Sequence, residues 1–595
     1  MSTATLQVRL DTKLKKEASA QIDNTFAQST IKEIRIVTSL AAKSKSLYEI
    51  TSNRDLLSHP EGELLQRIME SENPGELVKK LPAEDLFWIV KRIGEEESLA
   101  LLEIASEEQW QYLVDLDVWR KDILSPEKAL DWLRLLAEAD PERLSAWLLD
   151  EDQTFPALLL FRMAEVVIKD EDDADDLPGD WFTLDGRFFV KAFHEEDQET
   201  IERLLSILGK KDHELYQELL FNLASINPAE AEEELYRLRN NRIAEHGFLP
   251  FEEAIAVYAP LDAGAIDAEK PPLLAGRLFA EDAKGMIPAL PLKQVEEETI
   301  FSRTFSLIAD TTLRDRVSLE FAALVNQLIV AANLPEISDP DILAYSGRQA
   351  AGYLNVVLER LCGQDTTRAE NLLRDHTLLT LFRTGYGYAV SLKRKTQQWR
   401  KASWFFGQSL KNEFWGTPWG DTLDGLLMEH PCFFAGNMNS EPFREFTNAG
   451  ELDESEKRLC MVQALDRILA RLSLADVHLH QNYSEEKGVH PLFFTRWAHK
   501  ILENAPSFAP LSRTEAARFF SSLRADEERP PYRLSAYREL FIADFMKGAP
   551  DFEPDASQAL REALGLIWDD FTREYENIAT KDLEGRYSPF LHIAS

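Results

Sequence analysis

Three histidines and an aspartate have the best metal-ligand spacing in this 595-residue chain. His478-Leu479-His480, with Asp476 before and His490 after, sets two imidazoles at alternate positions. On an extended segment such a pair points one way, as zinc ligands sometimes do. No second ligand pair at a recognised spacing accompanies it, so ordinary surface or core histidines are the competing expectation. A second chemistry is suggested between His376 and Asn412. Arg383, Lys393, Arg394, Lys395, Arg400, Lys401 and Lys411 stand there without one Asp or Glu. Tyr386, Tyr388, Trp399, Trp404, Phe405 and Phe406 interleave with them. On a helix Lys393 and Arg400 lie seven apart and share a face, with Gln397 between. Cations beside rings hold phosphates, nucleic-acid strands or acidic partners. The competing expectation is that an acidic protein docks this helix on its own carboxylates.

Other chemistries lack their signatures. His194-Glu195 has no second histidine at the zinc-protease spacing, and Gly385-Tyr386-Gly387 has no third glycine of a dinucleotide fingerprint. No Gly-Lys-Ser/Thr phosphate loop and no Gly-x-Ser-x-Gly elbow occurs. Residues 169–176, KDEDDADD, are acidic at six of eight positions but lack the glycine and terminal glutamate of an EF-hand loop. Trp415-Gly416, Pro418-Trp419-Gly420 and His430-Pro431 mark an aromatic loop region, suited to lining a pocket or capping a helical block.

The elements that must carry these residues are helical. Ser106 with Gln109 fits a capping box, and Ser125-Pro126 and Asp140-Pro141 each put a polar cap before a proline. Asn227-Pro228 and Asp339-Pro340 repeat that start signal, and Gly247 suits a left-handed C-cap. Apolar residues recur at helical spacing: Leu86, Val90 and Ile93; Ala129, Trp132, Leu133 and Leu136; Leu144, Trp147 and Leu148. Five of the twelve tryptophans (Trp88, Trp110, Trp119, Trp132, Trp147) fall in residues 81–149, where core packing is expected rather than a cofactor box. The helical pattern continues to Ile168. A hairpin is expected over residues 180–190, turning at Asp185-Gly186.

Composition bounds the rest. The chain carries 103 acidic against 66 basic residues, net −37, which disfavours nucleic acid and anionic membranes. Cys362, Cys432 and Cys460 form no CxxC pair, so neither a disulfide scaffold nor a cysteine-built zinc site is expected. No apolar stretch reaches bilayer length, and the first twenty residues have no apolar signal core.

The run from Leu81, LPAEDLFWIVKRIGEEESLALLEIASEEQW, with VDLDVW and ALDWL after it, resembles a family of large, uncharacterised soluble bacterial proteins. RLRNNRIAEHGFLPFEEAIAVYAPL and LLTLFRTGYGYAVSL fit the same family. That resemblance covers most of the chain and implies no assigned activity. Residues 81–149 are also loosely similar to the superhelical intracellular domain of MgtE-type magnesium transporters. No transmembrane portion follows, so transport is not implied.

The expected fold is all-α: stacked helical hairpins forming one or two curved α-solenoid-like blocks, with irregular aromatic loops. The expected divisions are an N-terminal arm (1–45), a helical repeat block (46–168), an acidic loop and hairpin (169–190), a second helical block (191–262), a Pro/Gly/Ala-rich connection (263–298) and a C-terminal helical region (299–595). The expected function is that of a non-catalytic helical-repeat binding or scaffold protein recognising another macromolecule. Lys393, Arg394, Lys395, Trp399, Arg400 and Lys401 are its expected contact. A divalent-cation-responsive sensor is the alternative, from the acidity and the transporter likeness. A further alternative is an enzyme or metal protein using Asp476, His478, His480 and His490. No cofactor and no membrane insertion are expected. A protein partner is expected, in the cytoplasm of a bacterium, the bacterial source resting on the resemblance.

Overall fold

A computed structural model describes residues 61–149, 153–169, 181–223, 225–268, 288–295, 298–334, 339–436, 441–472, 488–505, 507–524, 530–578 and 589–594. Among these the fold is all-α, with three small two-stranded pairs. They form two compact units. The first holds described residues up to Arg239 together with 288–293 and 339–340; the second holds the rest.

The first unit opens with α1 (Glu61–Met69), α2 (Pro74–Lys79), α3 (Ala83–Ile93), α4 (Leu99–Ile104) and α5 (Glu107–Asp117). A tight pair, β1 (Trp119–Arg120) and β2 (Ile123–Leu124), leads to α6 (Pro126–Ala139), α7 (Pro141–Leu148) and α8 (Thr154–Met163). After β3 (Ala164–Ile168) and β4 (Phe188–Ala192) come α9 (Gln198–Lys211), α10 (His213–Asn222) and α11 (Pro228–Ala244). Helix α3 packs on α5, α4 on α6, α7 on α9 and α9 on α10.

The caps explain the starts. Ser106 and Gln109 make the reciprocal box that the spacing predicts, and Asp140 accepts the Arg143 amide at 3.0 Å. Ser125 precedes Pro126 as expected, but its hydroxyl donates to Glu127 Oε2 (3.0 Å) instead of accepting a helix amide. Trp88, Trp110, Trp119 and Trp132 are buried, each contributing about 2–3 kcal/mol. Trp147 is half-buried and donates to Gln111 Oε1 at 3.0 Å.

One expectation fails locally and another is met only in part. Residues 164–168 are a strand, not the end of a helix. The segment after Asp185-Gly186 pairs with that strand, Ala164 facing Ala192 and Ile168 facing Phe188, more than with the residues just before the turn. Only a single bridge, Phe182 to Val190, answers the expected hairpin among the described residues. AEVVI is a short apolar run, which periodicity cannot assign between helix and strand.

Asp85, in the first turn of α3, fastens a distant segment to this unit. It accepts the Ala289 amide at 2.9 Å and the Leu290 amide at 3.0 Å, at the start of a short helix, α13 (Leu290–Lys293), numbered after α12 (Phe251–Ala254). Burial pushes this carboxyl up to about 7, against the pull of those amides. A raised folded-state value means stability is gained as pH falls from above 7 toward the unfolded value near 3.8. Wild type should therefore lose stability relative to Asp85→Asn as pH rises from 4 to 8, by at most about 1.4 kcal/mol per unit. Urea unfolding at pH 5, 6, 7 and 8 checks this, and parallel curves for the two proteins would refute it.

The second unit is built on long helices: α14 (Ile300–Leu307), α15 (Thr311–Ala331), α16 (Pro340–Cys362), α17 (Thr366–Asp375) and α18 (Leu378–Ala402). A short α19 (Trp404–Gly407) and α20 (Trp419–Leu427) precede the pair β5 (Phe433–Phe434) and β6 (Phe443–Arg444). Then come α21 (Ala449–Arg471), α22 (His490–Ile501), α23 (Arg513–Leu523), α24 (Arg538–Met546) and α25 (Pro554–Tyr575). Gly247 has φ +87° beside the Ala323 backbone, as its expected cap role requires. Phe494, Trp497, Phe541, Trp568 and Phe571 pack ring on ring between α22, α24 and α25. No described helix is long and apolar enough to cross a membrane.

Candidate functional site

The basic island lies on α18 and its continuation. Lys393 donates to the carbonyls of Met428 (2.6 Å) and Glu429 (2.8 Å), just past the end of α20, where a cation suits the helix dipole. Lys395 pairs with Glu456 of α21 at 2.5 Å. Trp399 turns inward and stacks on Phe405, with ring centroids 6.3 Å apart. Arg400 is half-buried and sits 5.5 Å above the ring of Phe406. Arg394 and Lys401 are exposed and pair with no carboxylate among the described residues. The island thus divides: part docks on the protein itself, and Arg394, Lys401 and the exposed Phe406 face out.

Of the four metal candidates only His490 is described; Asp476, His478 and His480 lie outside the described residues. His490 opens α22, stacked against Trp419 and edge-on to Phe590. Burial lowers it to about 4, so it stays a neutral imidazole. Its Nε2 is 4.0 Å from Asp570 Oδ2. No group of three metal-ligating side chains occurs among the described residues.

The densest chemistry of the second unit lies elsewhere. Tyr345, Gln349 and Tyr353 stand four apart along one face of α16. All three donate to Glu445: Tyr345 Oη at 3.3 Å, Gln349 Nε2 at 2.9 Å and Tyr353 Oη at 2.6 Å. Gln349 Nε2 also lies 3.2 Å from Tyr258 Oη. Tyr258 covers the His430 ring, centroids 4.0 Å apart, and His430 Nδ1 is 3.0 Å from Tyr386 Oη. Close backbone contact holds these parts together. A Cβ on Gly385 would stand 2.0 Å from the Tyr353 carbonyl oxygen, one on Gly387 2.2 Å from that of Leu261, and one on Gly352 2.4 Å from that of Phe446. Each glycine lets the piece carrying one member of the cluster lie directly on its neighbour.

Burial dominates the electrostatics. It raises the Glu445 carboxyl, and the donors from Tyr353, Tyr345 and Gln349 only partly oppose it. Burial also holds Tyr258, Tyr345, Tyr353 and Tyr386 above ordinary phenols, with Glu445 adding to each. It pushes the Cys432 thiol up to about 12 and lowers His430. The site is therefore one acid among neutral groups. It is 7% exposed at Glu445 but reaches the surface through Tyr345, which is 44% exposed. Such an arrangement can hold a cation against the Glu445 carboxylate. Sequence reasoning missed it because its members run from residue 258 to 445; the glycines of Gly385-Tyr386-Gly387 were the visible signal.

The fold and this cluster define an all-α protein with a buried acid–tyrosine site. The chain belongs to the family of unknown function DUF6178, whose family model matches residues 41–594. No curated protein and no solved structure matches it.

Proposed function

We propose that this chain is a non-catalytic helical binding protein of the cytoplasm that recognises an acidic protein surface. The observation that carries this reading is the outward face of α18 and α19. Arg394 and Lys401 lie seven residues apart, hence on one side of α18, with Gln397 and Gln398 between them, all exposed. Arg400 and the 49% exposed Phe406 extend that face. Arginine and aromatic residues are what protein interfaces concentrate. The net charge of −37 repels an acidic partner at long range, but salt screens that repulsion beyond about 8–10 Å, and contact is then decided locally.

The test is capture from lysate of the source organism with the tagged full chain. Wild type should retain a stoichiometric acidic companion, released as salt is raised. Arg394→Glu with Lys401→Glu should lose it by about tenfold or more without changing the melting temperature. A companion kept equally by both proteins would sink the proposal.

A further inference from the structure

Glu445 is a buried acid that the described residues supply with no cation. Among the described residues no lysine or arginine lies within ion-pair distance of it. Its neighbour Arg444 is turned to Glu451, at 2.6 and 3.1 Å, and over the Phe433 ring. Lys393 is taken by the Met428 and Glu429 carbonyls. The three donors that reach the carboxyl are all neutral: two phenols and an amide. Among the other buried carboxylates, Asp117 meets Lys91 at 2.8 Å, while Asp85 and Asp466 accept backbone amides; among the described residues Glu445 has neither a cation nor an amide N–H of the main chain among its side-chain partners. A buried charge without a counter-charge is costly, and proteins ordinarily pair it.

The surroundings have a definite chemistry. Tyr258, Tyr353 and Tyr386 lie ring to ring, with centroids 5.3 and 5.4 Å apart, and Tyr345 covers the carboxyl from the solvent side. Tyr258, His430 and Cys432 are half-buried, so the acid lies one side chain below the surface. Tyrosine faces beside a carboxylate are what an ammonium group prefers: the rings attract the cation and its alkyl substituents, and the carboxylate answers its charge. The three glycine contacts hold these groups in place before anything binds.

We propose that Glu445 and the tyrosines around it form a binding site for an alkylammonium group, carried by a small amine or by a lysine side chain. The Tyr345 hydroxyl makes the longest of the three contacts, on the most exposed ring, and is the one that the ammonium replaces. An N–H then donates to Glu445 Oε1, while Gln349 and Tyr353 keep their bonds. Binding favours the ionised carboxyl, so it releases a proton wherever Glu445 is protonated beforehand. This site is independent of the α18 face, and neither proposal needs the other.

The test is calorimetry on the full chain in two buffers of different ionisation heat. The probes are propylammonium chloride, N-acetyl-lysine methylamide and neutral 1-butanol. Saturable binding of a cation with proton release, and none of butanol, is the expected result. Tighter binding of the lysine amide assigns the group to a polypeptide; tighter binding of propylammonium assigns it to a free amine. Glu445→Gln should weaken the cation by about tenfold or more. If that variant does not fold, Tyr345→Phe is read instead, and it should bind as well as wild type or better. Three results each overturn the proposal: no saturation by either cation below about 10 mM, butanol binding as tightly, or weaker binding by Tyr345→Phe. Unchanged binding in a folded Glu445→Gln does so too.

Discussion

Lys91→Met lowers the stability of the first unit by about 3–5 kcal/mol. Lys91, in α3, meets Asp117, at the end of α5, at 2.8 Å, and also pairs with Glu95. The lysine side chain is 10% exposed and the aspartate 3%. Burial works against both charges, but Asp117 and Glu95 hold Lys91 above its usual value, and Lys91 with the Trp132 indole holds Asp117 below its own. The indole N–H donates to Asp117 Oδ2 at 2.8 Å. Removing the lysine strands the carboxylate, since Lys128 stands 3.7 Å away on the other oxygen and compensates only in part. Asp117→Asn added to Lys91→Met should recover most of the loss, because the amide oxygen still accepts from Trp132 and the buried carboxylate charge is gone. Urea unfolding followed by tryptophan fluorescence reads both variants. A single-variant loss under about 1 kcal/mol, or a double variant worse than the single, would contradict this account. The depressed aspartate also sets a sign with pH. Its contribution is present above the unfolded value of 3.8 and disappears as pH falls below it.

Gly385→Ala costs the second unit about 3 kcal/mol and dismantles the acid–tyrosine cluster with it. The new methyl group meets the Tyr353 carbonyl oxygen at 2.0 Å and its carbon at 2.8 Å. Both are backbone atoms in the middle of α16, so nothing can swing aside, and α16 and α18 must part. Tyr353 supplies the shortest bond to Glu445, and Tyr386 lies next to the altered residue. Gly407→Ala is the control: a Cβ there meets nothing within 4 Å, and the change should stay within about 0.5 kcal/mol. Thermal melts give the stability difference, and near-ultraviolet circular dichroism follows the tyrosines. Equal behaviour of the two alanine variants would rule the close contact out as a constraint.

Helix starts were legible because they are local. Ser106 with Gln109, Asp140 before Pro141, and Asp339 before Pro340 state their role within four residues, and the structure begins helices at Glu107, Pro141 and Pro340. The β3–β4 pair was not legible. Its two strands are divided by an acidic segment, and only pairing distinguishes AEVVI from a helix end. The Glu445 cluster was hidden for a related reason. Tyr345, Gln349 and Tyr353 look like one more aromatic helix face, and Glu445 like one more acid among 103 carboxylates. The burial that distinguishes Glu445 depends on α16, α18 and the loop after α20 meeting, which no local pattern encodes. The basic island could be seen in the sequence as a charge anomaly, but not that Lys393 and Lys395 would be answered internally while Arg394 and Lys401 would not.

The bond from Asp85 to the Ala289 amide joins residues 204 positions apart, so it also sets a schedule for synthesis. A ribosome adding about 5–20 residues per second needs roughly 10–40 s to pass from one to the other. During that interval the nascent first unit has a carboxyl bound for its interior and no amides to receive it. The described residues made meanwhile, 240–268, belong to the second unit. The Asp85 anchor can close only after part of the second unit has been made. A fragment that stops short of Ala289 is an incomplete first unit, wherever its last helix ends.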